Sequence, residues 1–162
     1  MNFLKAGMHK LPEYMQLRQA VESNALPAVA TGLSGIHKAA IINALVQDTN
    51  KTALLLASDE AEAQRICQDL ASMGLRSFIY PTRDFTFRNV ESASREYEHQ
   101  RIQVLSRILK HDCDVVIACM DAALQYTIPP NELEGRMIEL KKGQTVSLEQ
   151  VVQSLVRCGY VR

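Results

Sequence analysis

Two uninterrupted apolar runs, Thr52-Ala-Leu-Leu-Leu-Ala57 and Asp114-Val-Val-Ile-Ala-Cys119, constrain this chain more than any other feature. A strand with one wet face alternates polar and apolar residues. A run without polar interruption needs cover on both faces, which a parallel sheet between helices provides. Helical periodicity alternates with these runs along the chain. Residues 11–24 place Tyr14, Leu17 and Val21 on one face, and Pro27 to Thr31 reads as a short buried strand. A helix over 37–47 carries Ala40, Ile41, Ala44 and Leu45 as its stripe. Asp59 and Glu62 read as an acidic cap pair for a helix that buries Ala63, Ile66, Cys67 and Leu70 and stops at Gly74. Ser77 to Tyr80 is the next expected strand, and Pro81 to Ala93 an ordered loop. A strong helix follows over 94–110, with Tyr97, Val104, Leu105 and Ile108 on one side. A short helix is expected over 121–126 and a fifth strand over 137–140. Ser147 and Gln150 form a weak capping box for a last helix, with Leu148, Val151, Val152 and Leu155 inward.

Strands alternating with helices predict a three-layer α/β fold with a parallel sheet and right-handed crossovers. The 162 residues suit one such domain with a short start on a second. Residues 1–145 are expected to form the first and residues 146–162 to open the next, most of which would lie past Arg162.

Apolar residues make up 47% of the chain, enough for a sizeable core. The 18 basic and 18 acidic side chains cancel, so no global field draws the chain onto DNA or anionic lipid. The opening MNFLKAGMHKLP lacks the apolar stretch of a signal peptide. No segment approaches the roughly 20 apolar residues of a membrane helix. A cytoplasmic location is therefore expected. The four cysteines form no C-x-x-C pair and read as small reduced core residues. His111 and Cys113 lack a second ligand pair, so no metal site is expected.

The segment Thr31-Gly-Leu-Ser-Gly-Ile-His-Lys-Ala39 lies between an expected strand and a helix, where an α/β domain carries its phosphate loop. A working loop reads G-x-x-x-x-G-K-[ST]. With Gly32 as the first glycine, His37 takes the second glycine position, Lys38 the lysine position and Ala39 the hydroxyl position. His37 brings a ring where backbone must curl against phosphate. Ala39 cannot ligand magnesium, and Lys38 alone cannot make up both losses. Ser34 and Gly35 lie inside the same turn. Two readings stay open: a weak anion site at a helix N-terminus, and a relic turn with no ligand. Asp59 and Asp121, the nearest acidic candidates for magnesium, read as helix caps, and Asp84 as solvated. No cofactor is expected.

Arg76, Arg83, Arg88 and Arg95 cluster in sequence around the Pro81 loop. They form either a phosphate- or protein-facing patch or a solvated loop offset by Asp84, Glu91 and Glu96. Phe85 and Phe87 read as packing residues rather than base-stacking ones. Glu96, Glu98 and His99 read as a polar helix face, since no nucleophile or metal ligand joins them.

The order V-A-T-G-L-S-G, T-A-L-L-L-A-S-D-E-A-E-A, Y-P-T-R-D-F, Glu98-His-Gln-Arg101, D-V-V-I-A-C-M-D-A-A-L-Q, I-P-P, L-K-K-G-Q and C-G-Y-V-R resembles the first domain of the bacterial transcription-repair coupling factors, the Mfd family. It resembles more distantly the matching region of the excinuclease subunit UvrB. The resemblance covers nearly the whole chain. It implies a P-loop-NTPase-like domain of the RecA/helicase kind with a degenerate phosphate loop, without catalytic residues of its own. It also implies a role supporting UvrA recruitment, through a neighbouring second domain, and a resting state held by intramolecular contacts. RNA polymerase, DNA and the ATP-driven motor would be handled by other parts of a full-length protein. The long DNA-gripping hairpin of UvrB has only residues 81–93 as its counterpart here. Two alternatives follow from the residues: a divergent P-loop nucleotidase in which Lys38 grips phosphate, and a UvrB-like DNA-binding module using the Arg76 to Arg95 region.

Overall fold

The computed structural model describes residues 2–83 and 96–160. It separates into two compact units, Met1–Gln125 and Tyr126–Arg162.

In the first unit, helices α1 (Asn2–Met8), α2 (Pro12–Glu22) and α3 (Gly35–Thr49) precede strand β1 (Ala53–Ala57). Helix α4 (Glu60–Ser72), β2 (Ser77–Tyr80), α5 (Glu96–Leu109), β3 (Val115–Cys119) and the single turn α6 (Met120–Ala123) follow. The three strands form one parallel sheet in the order β1-β3-β2. From β1 to β2 the chain crosses the sheet one way, and from β2 to β3 it comes back. Right-handed crossovers therefore put α4 and α5 on opposite faces. Two apolar clusters result. Ala39, Ala40 and Val46 of α3 and Ile66 and Leu70 of α4 pack with Val115 and Ile117 of β3 on one face. Val104 of α5 packs with Tyr80, Val116 and Ala118 on the other. The fold is thus α/β, with a small parallel sheet between helices.

Local chemistry sets the ends of α4. Asp59 accepts a hydrogen bond from the Glu62 amide at 2.7 Å, as expected of its N-cap. At the other end the Leu75 amide bonds the Leu70 carbonyl and the Gly74 amide bonds that of Ala71. This Schellman closure needs a left-handed residue, and Gly74 supplies it at φ +88°.

Several expectations are corrected. Residues 27–31 are not a buried strand: no ladder pairs them, and Val29 is 86% exposed. A strand persists only if neighbours satisfy its backbone. Pro27 lacks a donor, and the two alanines offer little area to bury. β3 is buried along its whole length, as its apolar run requires. β1 is not, because Leu54 and Leu56 on one face remain exposed. Helix α5 lies against β2, and among the described elements it is not packed over that face of β1.

The second unit holds α7 (Pro130–Arg136) and α8 (Leu148–Arg157). Residues 137–140 pair with no strand among the described residues, so the fifth strand is not formed. α8 has the expected amphipathic pattern, but its inward stripe is not buried. Leu148 and Leu155 stay exposed, and no residue of the helix is fully covered. Ser147 occupies the N-cap position without donating or accepting a capping bond, so the capping box with Gln150 does not form. A unit this short cannot enclose a core of its own.

Candidate functional site

In open α/β sheets, ligands bind outside the carboxyl ends of the strands. At that edge the turns after β1, β2 and β3 enclose a cleft of about 440 Å³. Ser58, Asp59, Glu60, Thr82, Arg83 and Asp121 supply most of its polar lining. Among its described lining residues three carboxylates stand with one guanidinium, and the Arg83 guanidinium is itself 3.5 Å from Glu98. A polyphosphate would meet these carboxylates as charges of its own sign.

The glycine-rich segment is tied to this cleft through Lys38, whose partner Glu62 bonds Ser58 of the lining. Gly32 turns at φ +75°, a conformation that favours glycine. Ser34 is the N-cap position of α3, yet its hydroxyl makes no capping bond and lies 3.1 Å from Nδ1 of His37. Gly35 begins the helix and His37 is exposed on its first turn. Lys38 Nζ donates to Glu62 Oε1 at 3.2 Å, so the cation of the loop is met by a carboxylate of the same chain. Ala39 is fully buried in the cluster beneath α3 and α4. Its methyl group belongs to the core.

Glu62 anchors this arrangement. Its second carboxylate oxygen accepts from the Ser58 hydroxyl at 2.7 Å and the Ser58 amide at 2.9 Å. The Ser58 bonds, with Lys38 beside them, hold the Glu62 carboxyl down to about 2. A depressed carboxyl adds stability above its unfolded value that is lost as pH falls through its folded one. The window therefore runs from the ordinary value of 4.5 down to about 2. Glu62→Gln is expected to cost about 1 kcal/mol at neutral pH, hydrogen bonds to a charged surface group being modest. The gap to the parent should close by pH 2 in urea titrations. An unchanged gap across that range would show that the Glu62 charge is not the source.

Of the four arginines, Arg76 and Arg83 are among the described residues. Arg76 and Arg83 flank β2 at opposite ends. Arg76 is held by Asp112 at 2.8 Å and Asp114 at 2.6 Å, and these hydrogen bonds raise its already high pKa. Arg88 and Arg95 lie outside the described residues, as do Asp84, Phe85, Phe87 and Glu91. Residues 96–100 are exposed, so Glu96, Glu98 and His99 form the polar helix face expected of them. Asp59 caps α4, whereas Asp121 sits in the first turn of α6.

Two polar centres had no signal in the local pattern. Asp48 at the end of α3 gathers Lys5, His9 and Tyr14 at 2.6–2.8 Å. Arg101 is 4% exposed, with its guanidinium carbon over the Tyr80 ring at 4.0 Å from the centroid. One of its nitrogens donates to the Pro81 carbonyl and to Gln125, and the other terminal nitrogen, Nη2, has no hydrogen-bond partner among the described residues. Burial pushes its pKa down, the reverse of Arg76. No group of three or more metal-ligating side chains occurs among the described residues, and none of their helices is long and apolar enough to cross a membrane.

No family profile matches the chain. Individual proteins do. The transcription-repair-coupling factor of Bacillus subtilis is 28% identical over 134 residues, 81% of this chain and 11% of the relative. UvrABC system protein B of Mycoplasma mycoides is 25% identical over 162 aligned residues, 91% of this chain and 24% of the relative. The transcription-repair-coupling factor of Staphylococcus epidermidis is 24% identical over 136 residues, 83% of this chain and 12% of the relative. The chain therefore spans from about a tenth to a quarter of the length of these relatives. Over most of its own length this chain is a homologue of transcription-repair-coupling factor and of UvrABC system protein B, consistent with the UvrB-like region at the amino-terminal end of the former.

Proposed function

We propose that this chain is a non-catalytic, UvrB-like module of transcription-coupled nucleotide excision repair. Its relatives carry transcription-repair coupling and the UvrABC system in their names. On this reading the three-layer fold follows the P-loop-NTPase plan of the RecA/helicase kind, and residues 32–39 are its degenerate phosphate loop. The module supports recruitment of UvrA by a neighbouring second domain and helps hold a resting state by intramolecular contacts. DNA, RNA polymerase and the ATP-driven motor belong to other parts of a full-length protein, which acts in the cytoplasm.

One observation carries the non-catalytic reading: Lys38 is paired with Glu62 while Ala39 is buried in the core. Phosphate would have to displace a carboxylate held by three donors, with no hydroxyl to bring magnesium. Calorimetric titration of the chain with magnesium ATP is expected to give no saturable heat at millimolar nucleotide, and Lys38→Ala should leave the trace unchanged. Micromolar binding lost in Lys38→Ala would replace the module reading with that of a divergent nucleotidase.

A further inference from the structure

The outer edge of β1 is the least explained surface of the first unit. β1 pairs with β3 on one side only, and no strand covers its other side among the described residues. The Ala53 amide donates to the Asp114 carbonyl at 3.0 Å, so the backbone groups of Ala53, Leu55 and Ala57 face β3. Backbone groups alternate along a strand, so those of Leu54 and Leu56 point outward, unpaired. The side chains of these same two leucines are 66% and 49% exposed on one sheet face. Natural edges are blunted by lysine, proline, bulges or inward charges. Ala-Leu-Leu-Leu-Ala contains none of these residues.

The edge is also complementary to itself. A two-fold axis through Leu55, perpendicular to the sheet, sets Leu54 opposite Leu56 of a second copy, and Leu56 opposite its Leu54. Both residues face outward, so each pair exchanges two backbone hydrogen bonds. The exposed leucines meet on a single face, where cross-strand apolar pairs stabilise a sheet. The same axis sets Lys51 opposite Asp59 of the second copy. Lys51 makes no ion pair among the described residues, and Asp59 makes none either, its carboxylate accepting from the Glu62 amide and the Ser58 hydroxyl. Centring the axis on Leu54 or Leu56 instead sets a leucine against Thr52 or Ser58 and loses the charge match. We propose that this chain self-associates through β1, two copies pairing antiparallel about Leu55 into one continuous sheet.

Sedimentation equilibrium over a hundredfold range of concentration should show the mass rising from one chain to two. Replacing both leucines, Leu54→Lys with Leu56→Lys, should weaken association at least tenfold with unchanged circular dichroism. Register is read by cysteines. Opposed residues of a hydrogen-bonded pair lie about 5.5 Å apart at Cα, within disulfide range, whereas diagonal positions exceed about 7 Å. An oxidised mixture of Leu54→Cys and Leu56→Cys chains should therefore cross-link, and neither alone should do so beyond the parent level. A single-chain mass at every concentration overturns the proposal. So does a dimer that survives the lysine pair, or Leu54→Cys alone cross-linking as well as the mixture. If the lysine pair unfolds the chain, the cysteine experiment decides.

Discussion

Replacing Asp48 with alanine is expected to destabilise the first unit by about 3 kcal/mol and to free α1 and α2 from α3, because Lys5, His9 and Tyr14 lose the buried carboxylate that they share. The Asp48 side chain is 3% exposed. Lys5 Nζ lies 2.8 Å away, His9 Nε2 2.7 Å and the Tyr14 hydroxyl 2.6 Å, with Arg18 at 3.7 Å. Burial by itself would raise the Asp48 pKa. The hydrogen bonds from Lys5, Tyr14 and His9 outweigh burial and hold it well below the carboxylate range. Tyr14 shifts the other way, raised by its own burial and then by the bond to Asp48. The sign for stability follows from the depressed carboxyl. The contribution is complete above the unfolded value of about 4 and fades as pH falls further into acid. Asp48→Asn keeps the shape and removes the charge, so its unfolding midpoint should lack that acid-side drop and meet the parent in strong acid. Hydrogen exchange should show the amides of α2 losing protection in Asp48→Ala while β3 keeps its own. A loss under about 1 kcal/mol at neutral pH, with α2 still protected, would reduce the cluster to surface decoration.

Leu70→Ala should cost about 3 to 4 kcal/mol, whereas the same substitution at Leu54 should cost under about 1 kcal/mol in dilute solution. The chemistry is identical, so burial decides. Leu70 is fully buried in the cluster with Ile66, Val115 and Ile117, and its carbonyl also closes the end of α4 on Leu75. Alanine there leaves a void that the surrounding helix and strand cannot collapse to fill. Leu54 gives up little buried area, since most of its surface already meets water. Urea denaturation with unchanged slope checks both values. Equal costs at the two sites would mean that the open face of β1 is covered in solution by something other than a second copy.

The candidate site was legible only in part. That residues 32–39 depart from a working phosphate loop followed from His37 and Ala39 alone. That Lys38 is already answered by Glu62 could not, because the two lie 24 positions apart and are joined by packing of α3 against α4. The Asp59 cap was readable because N-caps are local: a short side chain bonds an amide three residues on. Asp48 and Arg101 were not, since each draws partners from distant elements and neither stands out in its own helix.

The sequence by itself determined the three strands and the helices between them, because continuous apolar runs and a period near 3.6 are statements about local burial. It also determined the caps and stop of α4. Only the tertiary structure decided that residues 27–31 and 137–140 join no sheet among the described residues, that Leu54 and Leu56 of β1 stay exposed, and that the loop lysine meets a carboxylate. A pattern of side chains records which residues prefer to be dry. Which backbone edge finds a neighbour, and which charge finds its opposite, depends on where distant segments come to rest.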